Sequence, residues 1–560
     1  MSDWRKITII STLIVIAALV ITACAPAAPA QPAAEQAPAA AEQPTEAPKE
    51  AAAPEAQEVV FTYVEGQVIS TIDPAKHVDE SSLHAVINLY DPFLRPKLEE
   101  NSMEPGPWVA ESWEISEDGL TYTFKIRQGI KFHDGSELTA EDVQFSMERM
   151  LALKKGFSWL WQGVLEPGST EVIDDYTVAF HLNQPYAPFL ATLIQLFIVN
   201  KDLVMANLQP GDFGEMQDYG QAFLEDNEAG SGPYVKESWD RGSKFVFRRF
   251  PDYWKGWEPG QIDKVNYLIV TEEATKKTLL QSGEADMVDQ WMTAESYEEL
   301  AKNPDITVQV DPSVQLFHLP MNTKKAPTDN IHLRKAIIYA FDYETAVKEI
   351  IPGSVQAAGP VPVRAWGHAE DVQPYHQDME EAKKHFEMSG LKPGEVELDF
   401  WFPSSVPMER KIGLLLASNL QELGIKLNIN PVQWANITEA AANVDTSPHL
   451  TGIFDTLKYP HPDSHTYGMY HPSCWGSYRC LSWYDNPEVT ALLEKARATI
   501  DLEEQIELYK EAQRKIVEDA PSLYIANPAH RIAYRNHVKG YTYVGLLGYD
   551  LSFYTLRIEK

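Results

Sequence analysis

Segments with the two-residue period of a β-strand and segments with the 3.6-residue period of an α-helix alternate along most of this chain. Apolar and polar side chains alternate over residues 120–127, which is typical of a half-buried strand. Soon after it, Thr139 precedes an apolar stripe of helical spacing, and Asp142 stands where a capping partner of that helix belongs. Strands and helices mixed in this way favour an α/β architecture.

The same alternation continues in the C-terminal half of the chain. An apolar stripe over residues 412–423 stops at Gly424, and an alternating segment follows, which predicts a helix and then a strand. Asn486 and Asp501 each stand where a further helix is predicted to begin. No internal repeat of fixed period is present.

Composition limits the possible function. The 560 residues suggest about three to five lobes, at roughly 100–200 residues per domain. A hydrophobic content of 44% and a charged content of 23% argue against a disordered chain or a membrane bundle. The net charge of -34 would repel phosphate backbones and anionic lipid, so nucleic acid is not an expected partner.

The N-terminus has the order of a secretory signal: basic Arg5 and Lys6, an apolar run over residues 7–23, then Cys24. The sequence Ile-Thr-Ala-Cys at positions 21–24 resembles a bacterial lipobox, which predicts cleavage of residues 1–23 and lipidation of Cys24; the alternative is an uncleaved signal anchor. Lipid chains on Cys24 would hold the protein at the extracytoplasmic face of the cell membrane. Residues 25–57 contain 15 Ala and 7 Pro, so we interpret residues 24–57 as a linker.

Two further cysteines, Cys474 and Cys480, lie six positions apart. In an oxidising compartment they can close a disulfide, which is the arrangement we expect; the alternative is two separate buried thiols.

The most metal-like stretch is irregular. His461, Asp463, His465, His471 and Cys474 supply metal-ligating atom types, but their spacing matches no metal motif. Prolines beside His461 and His471 indicate a loop that is structural or lines a ligand, so we expect no metal and no cofactor.

The segment 107–150 closely resembles family 5 of the extracellular solute-binding proteins, which serve peptide and nickel ABC importers. The match lies in Trp-Val-Ala-Glu-Ser-Trp at 108–113, Asp-Gly-Leu-Thr-Tyr-Thr-Phe at 118–124, Gly-Ile-Lys-Phe-His-Asp-Gly at 129–135 and Leu-Thr-Ala-Glu-Asp-Val-Gln-Phe-Ser at 138–146. Shorter family-like strings recur at 230–234, 252–254, 322–342 and 484–488.

This resemblance implies an α/β clamshell, the two-lobed type II periplasmic-binding-protein fold, with an extra subdomain on the first lobe. Lobe I is expected at residues 58–314 and 525–560, with the subdomain at about 89–186. Lobe II is expected at residues 315–524, and the ligand lies between the lobes.

Residue by residue, the resemblance also implies a site. Peptide binders of this family pair an Asp with the peptide's α-ammonium, but here the matching position, just before Tyr459, holds Lys458. A Lys there would repel that cation, so Asp455 or Asp463 would have to substitute for the missing carboxylate.

Tyr459 and several other positions match segments that contact the ligand in relatives. Trp434 resembles a ligand-covering Trp, and Phe145 falls where some relatives place a contacting aromatic. The segment Val78, Asp79, Glu80 and Ser81 matches one whose backbone pairs with an extended ligand by strand addition.

The resemblance implies a monomeric binding protein, not an enzyme, that captures oligopeptides and delivers them to the membrane permease of an ABC importer. Two alternatives remain open. The same fold could bind an oligosaccharide, because Lys458 and Trp-rich loops suit a sugar; or the chain could be a secreted hydrolase with an acid–base carboxylate pair.

Overall fold

The computed structural model describes residues 58–97 and 102–559. The predicted signal peptide, the lipidation site Cys24 and the linker lie outside the described residues. Within the described ranges, no helix is both long and apolar enough to cross a membrane.

The described strands are β1 Val60–Glu65, β2 Leu94–Pro96, β3 Pro105–Pro107, β4 Ala110–Ile115, β5 Thr121–Ile126, β6 Thr170–Asp174, β7 Thr177–His181, β8 Tyr234–Asp240, β9 Lys244–Arg249, β10 Lys264–Ile269, β11 Met287–Val288, β12 Ile306–Pro312, β13 Leu316–Pro320, β14 Val355–Gln356, β15 Glu397–Pro403, β16 Lys426–Val432, β17 Leu450–Thr451, β18 Ile453–Asp455, β19 Ser522–Asn527, β20 Ala529–Arg535, β21 Val538–Lys539 and β22 Arg557–Ile558. The described α-helices are α1 Glu80–Leu89, α2 Ala140–Leu153, α3 Phe189–Thr192, α4 Lys201–Met205, α5 Glu273–Ser282, α6 Ala294–Leu300, α7 Ile331–Ala340, α8 Tyr343–Thr345, α9 Met379–Met388, α10 Pro407–Gln421, α11 Trp434–Ala440, α12 Tyr467–Tyr470, α13 Pro487–Ala498 and α14 Leu502–Asp519.

Lobe I, as we define it, is built on a sheet of seven described strands in the order β12-β20-β11-β1-β10-β9-β8. Strand β1 lies in its interior and runs parallel to β10 and β11, while the outer pairs are antiparallel. Phe61 of β1 and Leu83 of α1 are both fully buried in the same hydrophobic core.

Lobe II is built on two smaller sheets, β14-β19-β13-β18 and β16-β15-β17. Helix α10 packs on β15 so closely at Gly413 that a Cβ there would lie 2.7 Å from the ring of Phe400. Ile412, Leu416 and Leu420 bury the inner face of α10 in the lobe II core. The first turn of α10 is thereby held beside β18.

A separate four-stranded sheet, β4-β5-β7-β6, lies within the range predicted for the subdomain. Helix α2 contacts β6 and β7 and contributes its apolar face to the lobe I core.

The chain crosses between the lobe I and lobe II sheets twice. Residues 313–315 connect β12 of lobe I to β13 of lobe II, and Pro528 connects β19 back to β20. The whole of β19 pairs with lobe II strands, so the second crossing lies at Pro528 rather than at the predicted boundary after residue 524. The predicted boundary was early because periodicity does not show which sheet a strand joins.

The predicted elements agree with those observed. Strand β5 and helix α2 occupy the positions predicted from residues 120–127 and Thr139, and Asp142 Oδ2 accepts the Thr139 amide at 2.9 Å. Helix α10 begins five residues before the apolar stripe, and β16 follows it as predicted. Asn486 and Asp501 cap α13 and α14.

The two lobes are in contact. Leu457 and Tyr459 of lobe II belong to the same buried cluster as the lobe I core. Across the boundary, Gln195 Nε2 donates to the Lys458 carbonyl at 2.6 Å, and Tyr478 OH donates to the Val78 carbonyl at 3.2 Å. The structure therefore shows the lobes closed.

Candidate functional site

A cavity between the lobes receives side chains from both. Including its open mouth, it contains about 470 Å³ of space between atoms. Lobe I contributes Gln67, Asp79, Glu80, Trp291 and Leu547, and lobe II contributes Pro403, Val406, Glu409, Trp434, Gly452, Phe454, Thr456, Lys458 and Tyr478. Aromatic and a few charged groups that converge on one space from two lobes are typical of a small-ligand site.

Asp79 and Glu80 of the segment 78–81 line the lobe I side of this cavity. Asp79 is the N-cap of α1, and its carboxylate accepts the Ser82 amide at 2.8 Å. Glu80 and Ser81 are already helical, so the expectation that all four residues pair with a ligand as a strand is wrong for these two. Val78 is engaged through its carbonyl by Tyr478, as described above, and Ser81 Oγ donates to the Val68 carbonyl.

Glu80 lies at the junction of the cavity and the lobe I interior. Gln290 Nε2 donates to its carboxylate at 2.9 Å. Burial, with the nearby carboxylate of Asp550, raises the pKa of Glu80 to about 8, and burial raises the pKa of Asp550 to about 6. Glu80, His84 and Asp550 offer atoms within 4.8 Å of one another, a spacing that would suit a metal ion, but exposed and buried acidic groups commonly meet without one and we assign none.

Asp455 is fully buried, and its carboxylate accepts hydrogen bonds from two cationic side chains. Lys458 Nζ donates to Oδ1 at 2.8 Å, and Arg479 Nη2 donates to Oδ2 at 2.8 Å. Burial opposes ionisation, but Arg479 and Lys458 outweigh it and hold the pKa of Asp455 well below its ordinary value. Asp455 does not line the cavity, and both of its carboxylate oxygens already accept hydrogen bonds from these two cationic side chains.

Lys458 is the member of this network that reaches the cavity. Its Nζ also donates to the Thr456 carbonyl at 2.8 Å. Burial lowers the pKa of Lys458 to about 8 although Asp455 favours the charged form, so the ammonium remains protonated at neutral pH. The positive charge predicted at this position is therefore largely compensated inside lobe II.

Three further candidates from the sequence lie away from the cavity: Tyr459, Asp463 and Phe145. Tyr459 is fully buried and donates to Asp463 Oδ2 at 2.6 Å, and Asp463 also accepts from Tyr509 at 2.8 Å. Asp463 is thus engaged and does not replace the missing carboxylate. Phe145 lies in the lobe I core with its ring 5.9 Å from that of Tyr219, so its expected ligand contact is not supported by its position.

Aromatic rings from both lobes line the cavity. Trp434 contacts Tyr478 edge to face, with ring centroids 4.9 Å apart, and Trp291 meets Phe454 in the same way at 5.4 Å. The Trp434 Nε1 atom is buried and has no hydrogen-bond partner. Trp434 lines the cavity, and its contact with a ligand stays a prediction. Trp291, Phe454 and Tyr478 carried no sequence signal that distinguished them from core aromatics.

Sequence reasoning also missed Glu409, which lines the cavity from the first turn of α10. It stands three residues before Ile412 on the buried face of the helix, and only 1% of its surface is exposed. A carboxylate at a position of the apolar stripe was the available signal, since buried acidic side chains are rare unless paired.

The loop that carries Tyr478 and Arg479 is closed by a disulfide between Cys474 and Cys480, with Cα atoms 5.8 Å apart. The other metal-like side chains of this region have partners: His461 Nε2 contacts Gln505 at 3.3 Å, and His465 Nε2 lies 3.4 Å from Asp455. The region is a structural support for the cavity wall.

Two lobes joined by two crossings, with a cavity lined from both sides, define the class of the two-lobed type II periplasmic binding proteins. The chain belongs to the bacterial extracellular solute-binding proteins, family 5, whose middle region matches residues 104–477.

Three relatives illustrate what this chain is similar to. The dipeptide-binding protein of Escherichia coli K12 is 29% identical over 481 residues, covering 81% of this chain and 86% of its own. Heme-binding protein A of Haemophilus influenzae is 29% identical over 532 residues, covering 89% and 92%. A solved ABC transporter-associated periplasmic binding protein of Helicobacter pylori, in complex with the peptide STSA, is 26% identical with a TM-score of 0.79, covering 90% and 98%.

Proposed function

We propose that this chain captures short oligopeptides outside the cytoplasmic membrane and delivers them, unaltered, to the permease of an ABC importer. The cavity lined from both lobes is the observation that carries this proposal. Its position allows a bound solute to hold the lobes together, and a solute shifts such an equilibrium only if it binds the closed form more tightly. Relatives that are named for dipeptides, and one solved with a four-residue peptide, support peptide as the solute.

The way this chain receives a peptide differs from the mode expected for the family. Asp455 is engaged by Lys458 and Arg479, and Lys458 stands where a carboxylate would receive the α-ammonium. The peptide's amine must therefore be received elsewhere in the cavity or be directed outward.

Co-purification and titration calorimetry test the proposal. The protein is extracted gently from membranes of its source, and released small molecules are identified by mass spectrometry. Di- to pentapeptide pools are then titrated calorimetrically, with oligosaccharide pools as the comparison. Stoichiometric peptide binding without a cleaved product is expected. A co-purifying sugar, or turnover of the peptide, would overturn it in favour of the oligosaccharide binder or the hydrolase.

We also propose that Cys24 carries the lipid that anchors a monomeric mature protein to the membrane. The lipobox-like sequence at 21–24 supports this, and two acyl chains supply enough buried methylene groups for stable attachment. Mass spectrometry of the membrane-extracted protein should find Cys24 as the N-terminal residue, with acyl chains attached. An N-terminus that still carries residues 1–23, or an unmodified Cys24, would contradict lipid anchoring.

A further inference from the structure

The buried carboxyl group of Glu409 stands out in the cavity because one of its oxygens has no partner among the described residues. Its Oε2 atom is buried without a hydrogen bond, and no ion pair to Glu409 exists among the described residues. The neighbouring cation, Lys458, is directed at Asp455 and Thr456 instead. An unpaired buried carboxyl group is unfavourable, so a partner supplied by a ligand would be strongly favoured.

The backbone at Gly452, opposite Glu409, leaves space for the Glu409 carboxyl group. A Cβ atom on Gly452 would lie 1.8 Å from Glu409 Oε2, so only glycine leaves room for the carboxyl group in its present place. Gly452 lines the same cavity between β17 and β18. The position of the Glu409 carboxyl group therefore depends on Gly452, which is distant from it in sequence.

The surroundings suit a positive charge. Trp434, Tyr478, Phe454 and Trp291 line the same cavity, and the faces of aromatic rings attract cations. The unpartnered Trp434 Nε1 offers a donor that a carbonyl or carboxylate oxygen of the same ligand would satisfy.

We propose that Glu409 receives a positively charged nitrogen of the bound ligand, an ammonium or guanidinium, in place of the carboxylate missing at Lys458. This inference rests on the proposed function and names the chemistry that selects among peptides. Burial raises the pKa of Glu409, and an ion pair with the ligand's cation would favour the ionised carboxylate. The other titratable groups that line the cavity are Asp79, Glu80, Lys458 and Tyr478.

Calorimetry with matched ligands on the full mature protein tests this inference. The ligands are a lysine-containing tripeptide, its α-N-acetyl form, its Nε-acetyl form and the doubly acetylated form. The proteins are the wild type, Glu409→Gln and, as a control at the far end of the same helix, the exposed Glu422→Gln. Gly452→Ala, which displaces the carboxyl group without removing it, is the second variant.

Glu409→Gln and Gly452→Ala are expected to weaken binding of the tripeptide at least about tenfold, because each removes a charge-assisted hydrogen bond to it. Glu422→Gln is expected to bind the tripeptide like the wild type. The doubly acetylated ligand should bind the wild type and both cavity variants equally. If α-acetylation alone abolishes the difference, the cation is the peptide's amino terminus; if Nε-acetylation does, it is the lysine side chain.

Equal affinity of the wild type and Glu409→Gln for the cationic tripeptide would overturn the inference while leaving peptide capture intact. If no peptide of any charge binds the wild type, the proposed function itself falls.

Discussion

Asp455 holds together the lobe II wall of the cavity through its contacts with Lys458 and Arg479. A buried ion pair gains little over an apolar replacement, but removing one partner leaves the others uncompensated. Asp455→Asn should therefore lower the free energy of unfolding by about 3–5 kcal/mol, measured by urea denaturation of the mature protein.

The matched control for Asp455 is an exposed ion pair. Lys348 and Glu344 lie at the surface with 65% and 76% of their side chains exposed. Glu344→Gln should change stability by less than about 1 kcal/mol. Similar losses for Asp455→Asn and Glu344→Gln would show that the buried network contributes little.

Glu80 makes stability depend on pH. Its pKa rises from 4.5 to about 8 on folding, so the folded protein binds more protons than the unfolded chain between these values. The stability that Glu80 contributes is complete below about pH 4.5 and is lost as pH rises through about 8.

Glu80→Gln should accordingly reduce the fall in unfolding free energy between pH 5 and pH 8, measured on the ligand-free protein. Each unit of pKa shift corresponds to about 1.4 kcal/mol, so a reduction of a few kcal/mol is expected. The Glu344→Gln variant should give a profile parallel to the wild type. A Glu80→Gln profile that also runs parallel would show that burial does not perturb this carboxyl group.

At the scale of single elements, the capping residues of helix α2 were predicted correctly from the sequence. Asp142 accepts the Thr139 amide through Oδ2 and the Lys201 amide through Oδ1 at 2.9 Å, so one side chain joins the starts of α2 and α4. Asp142→Ala should lower the unfolding free energy by about 1–2 kcal/mol.

Glu141, its neighbour in the same turn, provides the comparison for Asp142. Its carboxylate pairs with Lys201 near the surface, and Glu141→Ala should cost less than about 1 kcal/mol. Calorimetric melting of both variants measures the difference. An Asp142→Ala protein as stable as Glu141→Ala would contradict the capping role.

Elements whose signals are local were predictable, and the site was predictable only in part. The periodicity of residues 120–127 and the caps at Thr139, Asn486 and Asp501 specify their own elements, because each depends on neighbouring residues. Lys458 and Trp434 were placed at the cavity through resemblance.

The positions and partners of the remaining cavity residues depend on how elements that are distant in sequence pack together. The unpaired state of Glu409 follows from the packing of α10 beside Gly452, and Asp455 is occupied because Arg479 returns to it from 24 residues away. Neither fact is visible in local sequence. For the same reason the resemblance that placed Phe145 at a ligand contact did not show that its side chain lies in the lobe I core.

At the scale of the whole molecule, hydrogen bonds across the lobe boundary help set the balance between open and closed forms. Tyr478 OH donates to the Val78 carbonyl across this boundary. Tyr478→Phe should weaken peptide affinity by about fivefold, because about 1 kcal/mol of closed-state stabilisation is lost. Titration calorimetry measures this change.

Tyr297→Phe is the matched control for Tyr478→Phe, since Tyr297 donates to the Asp289 carbonyl at 2.7 Å wholly within lobe I. Its peptide affinity should equal that of the wild type. Equal affinities for all three proteins would show that the Tyr478 contact does not favour closure.

Small-angle X-ray scattering of the mature protein, alone and saturated with a peptide that calorimetry shows to bind, tests closure around a solute most directly. A smaller radius of gyration in the saturated sample is predicted, because the free lobes separate and the peptide draws them together. An identical radius of gyration with peptide bound would contradict capture between closing lobes.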